Sequence, residues 1–185
     1  MNARFDTIST IHKAVRKILF DHTMMLARSD FFTESSGRDV VASTARLFAL
    51  LREHADIEDA LVFPTVAAHD AKLAAEAAVQ HAALETSMHE IEHLAATAAM
   101  VTTSERPAAG RKLRLRFEQF VAEQLMHLAF EETKINGALW AVFDDEQIRG
   151  LHFKIVSSMA PDRAAAWRAL MLDAVDARER AMLAA

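Results

Sequence analysis

From Ala71 to Met100 the chain runs without a glycine or a proline, and along most of its length apolar residues recur at helical spacing. Only four glycines and three prolines occur in 185 residues, so few positions interrupt an i to i−4 hydrogen-bond ladder. The expected fold class is all-α. Ile11, Val15, Ile18, Leu19, Met25 and Leu26 mark a first helix between Ile8 and Ala27. The polar stretch Ser29 to Gly37 is the first connection, with Ser36 as the expected cap and Asp39 in the first turn of a second helix reaching about Ala68. His69-Asp70 makes a tight connection to a third helix over Ala71 to Met100, and Thr102 to Pro107 form the next loop. A fourth helix carries Leu113, Phe117, Phe120, Leu128 and Phe130 and is expected to end at Asn136-Gly137. Four long helices with short connections predict an up-and-down four-helix bundle over residues 1–137.

Residues 138–185 read as a C-terminal extension of short helices. Asp144 or Asp145 caps one that runs to about Ser158, Pro161 suits the first position of another, and Asp176 with Glu179 forms a capping box. Leu151, Phe153, Ile155, Val156, Trp167 and Leu170 are too many apolar residues to leave in water, so the extension is expected to pack on the bundle or to bury itself in a homodimer interface.

The formal net charge of −5 is mild, and basic residues are interspersed with acidic ones, without the positive stripe that a nucleic-acid partner needs. The first twenty residues are broken by Arg4, Asp6, His12, Lys13, Arg16 and Lys17, which fits neither a signal peptide nor a membrane span, and a cytoplasmic location is the expectation. Cysteine and tyrosine are both absent, so any metal site must be built from histidine, aspartate and glutamate.

A histidine followed four residues later by a glutamate occurs at His54 with Glu58, His81 with Glu85, and His127 with Glu131. Residues at i and i+4 lie one turn apart on one helix face, so each pair can aim an imidazole and a carboxylate at one point. His12 gives the remaining helix a donor. Height along the expected bundle agrees. His12 lies about 16 to 18 residues before the first connection and His54 about as far after it, roughly 25 Å at 1.5 Å per residue. Glu58 and His81 flank His69-Asp70 at about eleven residues each, and His81 and His127 both lie about twenty residues, roughly 30 Å, from the following loop. Four imidazoles and several carboxylates exceed what one ion needs, whereas two ions joined by bridging carboxylates would use them all. Iron suits a mixed imidazole and carboxylate set, with manganese and zinc as alternatives. A step of four keeps Glu131 within about 40° of His127 while a step of five puts Glu132 about 140° away, which favours Glu131 over Glu132 as the bridge. Glu85 is open between ligation, support of a ligating histidine, and solvation. His22, His69, His89, His93 and His152 are expected to be packing or surface residues.

At these residues the sequence resembles the hemerythrin-like family, the HHE cation-binding domain. The resemblance covers residues 1–137, through IHKAVRKILFDH around His12, REHADIEDALVFP around His54 and Glu58, and EQLMHLAFEETKINGALW around His127, Glu131 and Glu132. It implies a non-haem di-iron centre that meets dioxygen, with roles in oxygen or iron sensing, oxygen binding, or handling of peroxide and nitric oxide. The tail, with SSMAPDRAAAWRALML and DARER, is similar to the extension on many bacterial members. The chain departs from the oxygen-carrying branch, which has a histidine where Glu85 stands and its acid at the position of Glu132. A carboxylate in place of an imidazole favours the ferric state, so sensing or oxidation chemistry is expected over reversible oxygen carriage. The competing expectations are a peroxide-consuming or ferroxidase-like enzyme and a metal-free helical interaction protein. A ferritin-like oxidase would need a Glu-x-x-His step on each of two helices, and Glu90 with His93 is the single such step.

Overall fold

The structure, a computed structural model, describes residues 4–31 and 33–184, and those residues are all-helical, without a strand. The elements are α1 (Ser9–Arg28), α2 (Glu34–Ile57), a π-helical turn π1 (Glu58–Val62), α3 (Phe63–Ala67), α4 (Ala71–Met100), α5 (Arg106–Phe130), a second π-helical turn π2 (Glu131–Ile135), α6 (Asn136–Val142), α7 (Asp145–Ser158), α8 (Pro161–Leu172) and α9 (Ala177–Ala184). No described helix is long and apolar enough to cross a membrane.

Helix ends follow their local chemistry. Asp6 caps α1, its Oδ1 accepting from the backbone N–H groups of Ile8 and Ser9, each at 2.9 Å. The second long helix starts earlier than its sequence suggests. The hydroxyl of Thr33 accepts from the N–H of Ser36 at 3.2 Å, so Ser36 sits inside the first turn and is not the cap. The fourth helical run also continues past Asn136-Gly137. Gly137 lies within α6, which ends at Val142 where Phe143 turns extended. A helical glycine costs only about 1 kcal/mol, and the buried Ile135 and Leu139 on either side keep the chain helical. Of the two aspartates that follow, Asp144 caps α7 in a reciprocal box with Gln147, at 2.8 and 2.9 Å. Pro161 opens α8, and Asp176 and Glu179 form the expected box at α9.

The chain divides into two compact units. One comprises the residues up to Lys17, Asp56–Ala78 and the chain from His127 onward; the other comprises Ile18–Ala55 and Val79–Met126. In the first, Ile8, Val62, Phe63, Val66, Ile135, Leu139 and Ile148 form an apolar core. The side-chain indole of Trp140 donates to the carbonyl of Phe5 at 2.8 Å, which ties α6 to the segment before α1. In the tail, Lys13 on α1 grips both oxygens of Glu179 on α9, at 2.5 and 2.7 Å. In the second unit, the rings of Phe48, Phe117 and Phe120 are fully buried and meet at centroid distances of 5.4 to 6.5 Å. Each such ring stabilises the fold by roughly 1.5–3 kcal/mol through apolar burial.

Candidate metal centre

In the first unit α1, π1, α5 and π2 bring four donors into the interior: His12, Glu58, His127 and Glu131 are each at most 5% exposed. Both glutamates open a π-helical turn. The N–H of Phe63 reaches back five residues to the carbonyl of Glu58, and that of Asn136 to the carbonyl of Glu131. At π1 the cause is close by: Pro64 has no N–H to give and its ring crowds the carbonyl four residues back, so the helix widens just before it. At π2 the hydroxyl of Thr133 takes the carbonyl of Ala129 at 2.7 Å and competes with the backbone ladder. With about 4.4 residues per turn, a residue five beyond the glutamate comes back to within roughly 50° of it, where an α-helix would give about 140°. Phe63 and Asn136 are accordingly buried on the side of Glu58 and Glu131.

Glu131 turns its two oxygens to two imidazoles. Its Oε2 lies 3.4 Å from Nε2 of His12 and its Oε1 lies 3.3 Å from Nε2 of His127. Nε2 of His12 also lies 3.6 Å from Oε1 of Glu58. Metal–ligand bonds of about 2.1 Å place neighbouring ligand atoms roughly 3.0–3.4 Å apart in octahedral or tetrahedral geometry, so these separations suit the edges of a coordination shell. On the other side of its ring, Nδ1 of His12 meets Oε1 of Glu132 at 3.1 Å, and the same oxygen accepts from Arg16 Nη1 at 2.6 Å.

Electrostatics follow from that crowding. Burial alone would push the His12 pKa down, but Glu131, Glu132 and Glu58 outweigh it and hold the imidazole well above its usual value. Burial alone would likewise raise Glu132, yet His12 and Arg16 pull it down to about 2. Glu132 is therefore an ionised carboxylate, which only accepts, and Nδ1–H of His12 donates to it.

His54 is buried one turn before Glu58 in α2, and His81 is half-buried in α4. Within the first unit two sets of donors, His12, Glu58 and Glu131, and Glu58, His127 and Glu131, each offer one ligand atom per residue within 4.8 Å of one another. Such buried His/Glu groups can hold a metal ion. Glu132 and Glu85 belong to neither group. Glu85 is more than a third exposed, and both its oxygens are taken by Arg52 Nε, at 2.9 and 3.1 Å, with His89 beside it. Arg16 escaped the sequence reading although its signal was there, one turn after His12 on the same helix face. Of the other histidines, His22 is buried, 3.1 Å from the Thr44 hydroxyl and against Phe117, His152 lies 2.9 Å from the hydroxyl of Thr7, and His69, His89 and His93 are exposed.

No protein-family model, curated protein or solved structure compared with this chain matches it.

Proposed function

We propose that this chain is a non-haem di-iron protein that senses or handles dioxygen, iron or reactive oxygen and nitrogen species, with His12, His54, Glu58, His81, His127 and Glu131 as ligands. The observation that carries the reading is Glu131, whose two oxygens face two different imidazole Nε2 atoms, as a carboxylate bridging two ions would. Glu58 and Glu131 are common to both donor groups, which fits a pair of bridging carboxylates that offset part of the positive charge of two divalent ions. In this proposal α1, α2, α4 and α5 serve as the four helices of an up-and-down bundle. The order of donors is that of the hemerythrin-like family, which supports the same choice.

Iron bound there supplies a redox-active centre with positions open to a small ligand. The protein's own part is to hold the imidazoles in register, place two carboxylates between them, and wall the donors from bulk water. His12 must give up its Nε2 proton for that atom to ligate, so metal uptake releases protons. The deciding experiment is elemental analysis of the chain purified without chelators from iron-supplemented cells, followed by anaerobic loading with ferrous iron. About two irons per chain are expected. Manganese or zinc in their place would change the metal and keep the site, and steady consumption of peroxide or ferrous iron by the loaded protein would make it an enzyme. A chain that takes up no metal under either condition would overturn the proposal and leave a helical interaction protein.

A further inference from the structure

We propose that Glu132, held by Arg16, is not a ligand but a positioning residue that aims His12 at the metal, an inference that rests on the metal-binding reading above. The geometry on the two sides of the His12 ring carries it. Nε2 faces Glu58 and Glu131 at 3.6 and 3.4 Å, while Nδ1 faces Glu132 at 3.1 Å. The ring stands between Glu132 and the donor atoms, so the Glu132 carboxylate addresses the histidine and not the ion. A hydrogen bond from Nδ1–H to a carboxylate fixes the tautomer, leaves Nε2 as the ligand atom and raises its basicity.

The neighbouring residues suit that task. His12 has no exposed side-chain surface, whereas the side chains of Glu132 and Arg16 are 25% and 28% exposed, so the pair reaches from the interior to the surface. Arg16 follows His12 by one turn on α1 and anchors the oxygen that His12 uses. Adjacent residues of π2 thus divide the work, with Glu131 turned to the imidazole Nε2 atoms and Glu132 turned to the back of one ring.

The test uses the full chain, stripped of metal and titrated with zinc(II) as a diamagnetic probe, with affinity read by chelator competition and His12 by nitrogen-15 NMR. In the unsubstituted protein His12 is expected to bind zinc through Nε2 and to show a slowly exchanging Nδ1–H. Glu132→Ala is expected to weaken zinc binding by about 10–100-fold and to lose that proton signal. Glu132→Gln should restore most of both, because an amide oxygen accepts the same hydrogen bond but replaces a ligating carboxylate poorly, and Arg16→Gln should fall between. A Gln variant as weak as the Ala variant would overturn the proposal by making the carboxylate itself a ligand. Unchanged affinity and an unchanged Nδ1–H in Glu132→Ala would overturn it too. If Glu132→Ala does not fold by circular dichroism, the Gln and Arg16 variants still decide the matter. An unsubstituted chain that binds neither zinc nor iron removes the metal reading itself, a failure visible before any substitution is made.

Discussion

Nε2 of His12 lies 3.4 Å from Oε2 of Glu131, and neither side chain is more than 1% exposed. With Glu58 also facing that nitrogen and Glu132 on the other side of the ring, three carboxylates surround His12, with Arg16 as a second cation on Glu132. That is a surplus of buried negative charge, and removing one member should relieve the metal-free protein. Glu131→Gln is expected to raise the metal-free melting temperature by about 2–4 °C, equivalent to about 1 kcal/mol. The same variant should lose the stabilisation that metal gives the unsubstituted chain, about 2.7 kcal/mol at a hundredfold excess over Kd. Paired thermal melts with and without ferrous iron check both halves. A variant that melts lower without metal, or still responds to it, would contradict the account.

His22 should make stability fall in mild acid. Burial, helped by the charge of Arg46, lowers its pKa from 6.5 to about 4. The folded protein keeps the ring neutral between those values while the unfolded chain takes up a proton, so stability rises with pH across that window and is lost as pH falls through it. The contribution lost from this one group reaches on the order of 3 kcal/mol by pH 4. Titration of the His22 ring by NMR should give a midpoint near 4, and urea melts at pH 7 and 5 should differ in that direction. A midpoint near 6.5 would remove the effect.

Much of the fold was legible because a long amphipathic helix leaves a periodic trace: α1 and α4 appear close to their expected bounds, α5 starts where expected, and Pro161 and the Asp176–Glu179 box start helices of the tail as read. The His-x-x-x-Glu steps at His54 and His127 also led to glutamates that are buried among donors. The π-helical turns were not legible, since nothing in a four-residue step distinguishes a helix that later widens. Pro64 inside a helical run is the trace at π1, whereas Asn136 is a polar residue whose burial nothing in the sequence announces. Glu85 shared the same spacing, yet Arg52 on a neighbouring helix claims it, a tertiary contact that spacing along one helix does not encode. Glu132 fared similarly, because its partners His12 and Arg16 lie more than a hundred residues away in sequence.

Asn136 ties π2 to the start of α1. It is 1% exposed, its Nδ2 donates to Oδ1 of Asp6 at 3.0 Å, and its backbone N–H closes the wide turn on Glu131. Asn136→Ala removes the side-chain bond and is expected to cost about 1–2 kcal/mol. Asn136→Asp should cost more, because it sets a second carboxylate against Asp6, whose own pKa is held low partly by this amide despite burial. Urea denaturation of the two variants at neutral pH checks the order, and Asp equal to or better than Ala would refute it.

Gly110 on α5 sits beneath the ring of Phe31, and this contact makes the smallest substitution in the chain a costly one. A Cβ at position 110 would fall closer than 3.0 Å to Cδ2, Cγ and Cδ1 of that ring, so rotating the far end of the side chain would not clear it. Phe31 has little room to retreat: it is 5% exposed, and its backbone holds a positive φ of 55° that bulky residues rarely adopt. In an open helix, Gly to Ala would stabilise by up to about 1 kcal/mol through propensity. Here overpacking of about 1–3 kcal/mol opposes it, so Gly110→Ala is expected to destabilise on balance. Adding Phe31→Ala in the same chain should turn the sign of the Gly110→Ala effect, since the ring that opposes the methyl is gone and the helical preference for alanine remains. A double-mutant cycle by urea denaturation measures the coupling directly, and a Gly110→Ala chain more stable than the parent would show that the ring yields freely.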